Sequence, residues 1–108
     1  MAKRQTIPTQ LSQAIELLEP EGDMSEKLRQ LLLAEAQRRL LRYRRLGQKF
    51  SRKYGMSFAE FVARRTVARK KYSFEVESDF WDWELAQDGL ATMEKLLEQL
   101  QRPHEDGH

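Results

Sequence analysis

Apolar positions recur every three or four residues along most of this chain, which is the spacing of an amphipathic helix. The longest such stretch covers residues 24–54, contains one glycine and no proline, and is rich in Leu, Arg, Gln and Ala. It predicts one long helix, and Gly55 is placed to end it because glycine readily adopts the left-handed conformation of a helix C-terminus. A second long helix is predicted over about residues 79–102, stopped by Pro103.

Shorter segments precede and connect these two helices. Residues 9–19 predict a short amphipathic helix, which a break containing proline and glycine separates from the long helix. Residues 57–60 (Ser-Phe-Ala-Glu) have the form of a capping box, so a third helix is predicted to run to about Lys70. Residues 72–77 alternate apolar and polar side chains and predict a brief extended stretch, with Ser78 as the N-cap of the last helix.

Both long helices carry the 3,4 repeat of a coiled coil. Because this spacing keeps an apolar seam against one neighbouring helix, it predicts an antiparallel pairing with Phe50 opposite Trp83 and Gly47 opposite Ala86. The same seams also fit a dimeric coiled coil between two chains, so a homodimer is the alternative. The fold class expected is all-α: a long antiparallel helical hairpin, coiled-coil-like, with short connecting helices.

The sequence suggests three regions within one small protein. Residues 1–23 form a flexible N-terminal arm with a short helix, residues 24–102 form the helical domain, and residues 103–108 form a disordered tail. No apolar run reaches the roughly 18 residues of a membrane-spanning helix, so no membrane partner is expected and a cytoplasmic location is the default.

Charge is divided unevenly along the chain. Residues 24–73 carry 15 Lys/Arg against 3 Asp/Glu, a net charge of +12, while residues 74–108 carry 2 Lys/Arg against 10 Asp/Glu, a net charge of −8. Five of the basic residues follow 4,3,4,3 spacing and form one stripe along the long helix: Arg38, Arg42, Arg45, Lys49 and Arg52. Such a stripe is suited to binding nucleic-acid phosphates or an acidic protein surface. The alternative is that acidic side chains of the last helix and of a neighbouring subunit neutralise much of its charge.

The segment that opens the acidic region mixes carboxylates with aromatic residues. Trp and Phe contribute strongly to interfaces, so a partner-binding surface is expected at this group: Trp81, Phe74, Glu75, Glu77 and Asp79. The structural alternative is that Phe80 and Trp83 belong to the core and leave only Trp81 to point outward.

Catalytic chemistry is poorly represented in the sequence. The chain has no cysteine, and its two histidines, His104 and His108, lie in the polar tail. No phosphate-binding loop, Ser-His-acid arrangement or calcium-binding loop is present. We therefore expect no enzymatic activity, no cofactor and no metal.

Two stretches carry a family resemblance: KYGMSFAEF at residues 53–61 and YSFEVESDFWDWE at residues 72–84. They resemble small prokaryotic helical proteins that are encoded beside toxin genes and are regarded as antitoxin-like partners. The resemblance covers about residues 30–100. It implies a cytoplasmic protein that binds and neutralises a cognate toxin, and it assigns no catalytic residue.

The N-terminal part is similar in outline to a ribbon-helix-helix DNA-binding module. Over residues 3–40 the order is a short strand, a short helix, a break and a second helix that opens at Ser25. This similarity implies a dimer in which one of two alternating pairs from the strand faces the major groove: Lys3 and Gln5, or Arg4 and Thr6.

Three functions are therefore expected, in order of preference. The first is a non-catalytic, protein-binding regulator, the antitoxin-type component of a toxin–antitoxin pair. The second is a module that binds DNA or RNA through the basic stripe or the N-terminal strand. The third is a self-associating coiled-coil structural protein.

Overall fold

The computed structural model of the chain describes residues 7–64, 66–69 and 73–102. Within these ranges the regular structure consists of five helices: α1 (Thr9–Leu18), α2 (Met24–Tyr54), α3 (Phe58–Ala63), α4 (Thr66–Arg69) and α5 (Phe74–Gln101). The same ranges contain no strand, which confirms the predicted all-α class. None of the helices in the described part is long and apolar enough to cross a membrane. The predicted tail at residues 103–108 lies outside the described residues.

Backbone contacts divide the chain into two units, Met1–Glu35 and Ala36–His108. The division falls within α2, whereas the sequence suggests a boundary in the break before that helix. In the first unit α1 has no buried residue, and its Leu17 is 86% exposed. Lys27 of α2 is buried in this unit, with its Nζ 3.5 Å from Oε1 of Glu16 in α1.

Helix α2 has the bounds that the sequence predicts. Asp23 precedes the helix, and its side chain accepts a hydrogen bond from the backbone N–H of Glu26 at 2.9 Å. This N–H lies in the first turn, where no backbone carbonyl of the helix is available to accept from it. At the other end Gly55 has φ of +66°, and the N–H of Met56 donates to the carbonyl oxygen of Ser51. This left-handed residue and the hydrogen bond that spans it form a Schellman-type ending, so the predicted role of Gly55 is confirmed.

The predicted capping box opens α3. The N–H of Glu60 donates to Ser57 Oγ at 3.1 Å, and the carboxylate of Glu60 accepts from the N–H of Ser57 at 3.4 Å. The helix is shorter than expected because Arg64 caps it with a non-helical backbone. The turn there leads into α4, whose Thr66 is buried and places Oγ1 4.0 Å from Sδ of Met56. The predicted single helix is therefore two short helices.

The start of α5 differs from the prediction. Helix α5 begins directly after Ser73, whose Oγ accepts a hydrogen bond from the N–H of Val76 at 3.3 Å. Ser78 lies inside the helix, so its predicted role as the N-cap is wrong. Residues 74–77 form the first turn of α5, so the predicted extended stretch is wrong there as well. The apolar–polar alternation has a helical explanation, because Val76 aligns with Phe80 and Trp83 at i, i+4 and i+7.

In the second unit the C-terminal part of α2 packs antiparallel against α5. The Phe50 and Trp83 rings have centroids 5.8 Å apart, as the predicted register requires, and Tyr43 lies against Gly89 farther along α5. The buried cluster at this end consists of four residues: Phe50, Phe61, Val76 and Trp83. Because these seam residues contact one another within one chain, the helical hairpin is confirmed, while a homodimer stays a prediction.

Candidate functional site

An exposed apolar row lies along α5. Phe74, Trp81 and Leu85 are 86%, 64% and 64% exposed, and their spacing of seven and four residues puts them on one face of the helix. Val76 and Trp83 follow the first two by two residues each, about 200° around the helix, and are buried. This row, here named the aromatic stripe (Phe74, Trp81 and Leu85), therefore faces away from the hairpin core.

Trp81 rests on the aromatic core while its own ring stays exposed. Its ring meets that of Phe80 edge-on, with centroids 5.4 Å apart. Phe80 in turn stacks on Phe58 at 5.9 Å and on Phe61 at 6.2 Å. Trp83 is fully buried, so the structure places Trp83 in the core and Trp81 outside it. A supported ring loses little side-chain entropy when a partner covers it.

A row of carboxylates runs beside the aromatic stripe. Glu77, Glu84 and Asp88 each follow a member of the stripe by three residues, which puts them next to it on the helix surface. Among the described residues no lysine or arginine nitrogen lies within 4.0 Å of these three carboxylates. This acidic row (Glu77, Glu84 and Asp88) gives one edge of the stripe a negative charge.

Glu75 and Asp79, which the sequence predicts to bind a partner, form hydrogen bonds with side chains of α2. Lys53 Nζ lies 2.6 Å from Glu75 Oε2 and 2.6 Å from Asp79 Oδ2, and the Tyr54 hydroxyl donates to the same Asp79 oxygen at 2.5 Å. The side chain of Asp79 is only 14% exposed. This Lys53 network (Lys53, Tyr54, Glu75 and Asp79) therefore joins the end of α2 to the start of α5.

The pKa values in the Lys53 network follow from these hydrogen bonds. The bonds donated to Asp79 and Glu75 raise the pKa of Lys53 well above its ordinary value. Burial and the hydrogen bond to Asp79 raise the pKa of Tyr54 to about 12. Burial acts to raise the pKa of Asp79, but the hydrogen bonds from Lys53 and Tyr54 outweigh it and the pKa lies below its ordinary value. Each group thus keeps its usual charge at neutral pH, as expected of a structural tie between helices.

The basic residues singled out in the sequence share one face of α2. All five members of this basic stripe are exposed: Arg38, Arg42, Arg45, Lys49 and Arg52. Gly47 and Tyr54, which lie close to Trp83 of α5, are on the opposite side of the helix. The structure therefore brings these five residues together, and it places them away from the hairpin seam.

A cleft of about 270 Å³ lies between α2 and α5, close to the start of α3. Tyr43, Gly47, Trp83 and Gln87 contribute to its walls, and none of its lining residues is a carboxylate, histidine or cysteine. Within the described residues no group of three His, Cys, Asp or Glu side chains is placed to hold a metal ion.

Leu85 and Asp88 belong to this surface but were not predicted from the sequence. The signal was their spacing, since Leu85 lies one turn after Trp81 and Asp88 three residues after Leu85. Both residues lie within the predicted last helix, so this spacing could have identified them, whereas Phe74 joins the surface only because α5 begins at residue 74. The strand residues proposed to face DNA, at positions 3–6, lie outside the described residues.

Comparison with protein-family models, with curated proteins and with solved structures found no match to this chain.

Proposed function

We propose that this protein is a non-catalytic regulator that binds a protein partner through the aromatic stripe of α5. The proposal is carried by the exposure of Phe74 and Trp81 on one helix face, above a packed aromatic core. Large aromatic side chains are the commonest energetic anchors of protein interfaces, and contiguous exposed apolar side chains mark binding surfaces more often than isolated ones.

The acidic row indicates the chemistry of the partner. A surface that covers the aromatic stripe also approaches Glu77, Glu84 and Asp88, so it requires an apolar groove edged with Lys or Arg. Opposite charges at the edge of an interface accelerate association and select against acidic competitors. The partner is therefore a basic protein with an apolar groove long enough for about three turns of helix.

The resemblance to antitoxin-like proteins names a candidate for that partner. A cognate toxin encoded beside this protein is the ligand that the resemblance implies, and a basic, apolar-lined toxin surface fits the stripe. In this role the protein acts in the cytoplasm by covering the toxin surface, and it needs no catalytic residue of its own.

Affinity purification from cells that encode the protein, with nuclease treatment, tests this function. Wild-type protein is compared with the double variant Phe74→Ser/Trp81→Ser and with the control Leu41→Ser, which changes an exposed leucine of α2. We expect one stoichiometric basic protein with the wild type and the control, and its loss with the double variant. Raised salt should weaken the complex because the acidic row contributes to it.

The opposite pattern contradicts the proposal. Equal recovery of the same partner with wild type and the double variant would move the interface away from the aromatic stripe. Loss of every partner on nuclease treatment would show that the captured proteins were held through nucleic acid.

A further inference from the structure

A second and chemically different surface lies on α2. Arg42, Arg45, Lys49 and Arg52 are exposed on one face, and at 1.5 Å per residue they extend over about 15 Å of helix. This face points away from α5, while the aromatic stripe of α5 points away from α2. The hairpin of the second unit therefore presents two separate surfaces on opposite sides.

The three arginines of this surface have no acidic partner in the described part of the chain, whereas the charge of Lys49 helps to lower the pKa of Asp79 in α5. Among the described residues, no carboxylate lies within 4.0 Å of the guanidinium groups of Arg42, Arg45 and Arg52. The Nζ of Lys49 lies 5.7 Å from the centroid of the Phe50 ring. Four cations in adjacent turns repel one another, so an anionic ligand that bridges them relieves this repulsion.

The composition of the surface favours nucleic acid over an acidic protein. Among the large apolar side chains of residues 36–54, only Leu41 is exposed, at 44%, so the surface lacks the aromatic anchor that protein interfaces use. Phosphates need only cations, and the guanidinium group matches phosphate geometry well. We propose that Arg42, Arg45, Lys49 and Arg52 bind the phosphate backbone of a nucleic acid without reading its bases.

Salt dependence of binding tests this proposal directly. Labelled 20-base-pair duplex DNA, duplex RNA and single-stranded RNA are each titrated with full-length protein, and fluorescence anisotropy is recorded between 50 and 200 mM KCl. Four phosphate contacts predict that affinity for at least one of these ligands falls about 100-fold over this range. The variant Arg42→Gln/Arg45→Gln/Arg52→Gln should reduce that fall to about 4-fold. The ligand that binds most tightly at 200 mM KCl identifies the preferred nucleic acid.

A matched control separates this stripe from net charge. Arg64→Gln/Arg69→Gln/Lys95→Gln also removes three positive charges, from exposed positions elsewhere, and it should keep the wild-type salt slope. Equal weakening by both triple variants, or no binding of any of the three ligands at 50 mM KCl, would overturn the proposal. The Phe74→Ser/Trp81→Ser variant should bind nucleic acid as the wild type does, so this inference and the proposed protein binding fail independently.

Discussion

At the scale of single residues, two glycines of the hairpin have opposite surroundings. A Cβ atom added to Gly89 of α5 would lie 2.6 Å from two atoms of the Tyr43 ring, which no real Cβ tolerates. A Cβ atom added to Gly47 of α2 would meet Gln87 at 3.5 Å, an ordinary contact. The sequence indicated Gly47 as the small seam residue. It could not indicate Gly89, because that role depends on which ring crosses α5 there.

The two glycines therefore predict opposite effects of alanine. Gly47→Ala should raise the free energy of unfolding by up to about 1 kcal/mol, because alanine favours a helix interior over glycine. Gly89→Ala gains the same helix propensity but overpacks against Tyr43, so we expect a net loss of about 1–2 kcal/mol. Urea denaturation measures both, and Tyr43→Ala in the same chain should remove the Gly89→Ala penalty. Stabilisation by Gly89→Ala alone would contradict the close packing.

Asp79 gives stability a defined dependence on pH. Its pKa in the folded protein lies below its ordinary value of 3.8, so its contribution is present above about pH 4 and is lost as the pH falls through the folded pKa. Lys53 and Tyr54 have raised pKa values, so their contributions are present below about pH 10 and are lost as the pH rises further.

The variant Asp79→Asn isolates the acidic side of this dependence. At pH 6 it should lower the free energy of unfolding by about 1–2 kcal/mol, because it removes a charged hydrogen-bond acceptor shared by Lys53 and Tyr54. The difference from wild type should shrink as the pH falls toward 2. Asp82→Asn, at an exposed position outside the Lys53 network, serves as the control. A difference that does not change with pH would rule out the Lys53 network as its source.

At the scale of elements, the sequence predicted a helix end correctly where only one residue or motif could cap it. Gly55 and the capping box of residues 57–60 fixed the end of α2 and the start of α3. The start of α5 was not predictable in this way, because Ser73 and Ser78 both had the form of an N-cap and the intervening residues alternated like a strand. Packing of Val76 into the aromatic core, a tertiary contact, decides in favour of Ser73.

Serine-to-alanine variants distinguish the two candidate starts of α5. Ser73→Ala should cost about 1 kcal/mol, because the first turn loses a capping hydrogen bond. Ser78→Ala should be neutral or slightly stabilising, because alanine is the better residue within a helix. Thermal unfolding followed by circular dichroism measures both variants. A larger loss for Ser78→Ala than for Ser73→Ala would restore the later start.

At the scale of the whole molecule, the division of charge in the sequence anticipated two surfaces of opposite sign. In the second unit the basic stripe and the acidic row lie on different helices and face away from each other. All five members of the basic stripe could therefore be named from helical spacing, whereas Glu77 was the one member of the acidic row predicted to bind a partner. The sequence could not show that Asp79 turns inward to Lys53 while Trp81 stays outside, because both follow from how α5 docks on α2.

The central claim is that Trp81 and its neighbours on α5 anchor a protein partner. Titration calorimetry with the purified partner tests it most directly, using wild type, Trp81→Ala and the exposed control Leu41→Ala. We predict a one-to-one complex that Trp81→Ala weakens by about 30-fold or more, the effect of losing an interface hot spot, while helicity and the control affinity stay unchanged. Equal affinities for wild type and Trp81→Ala would contradict the claim.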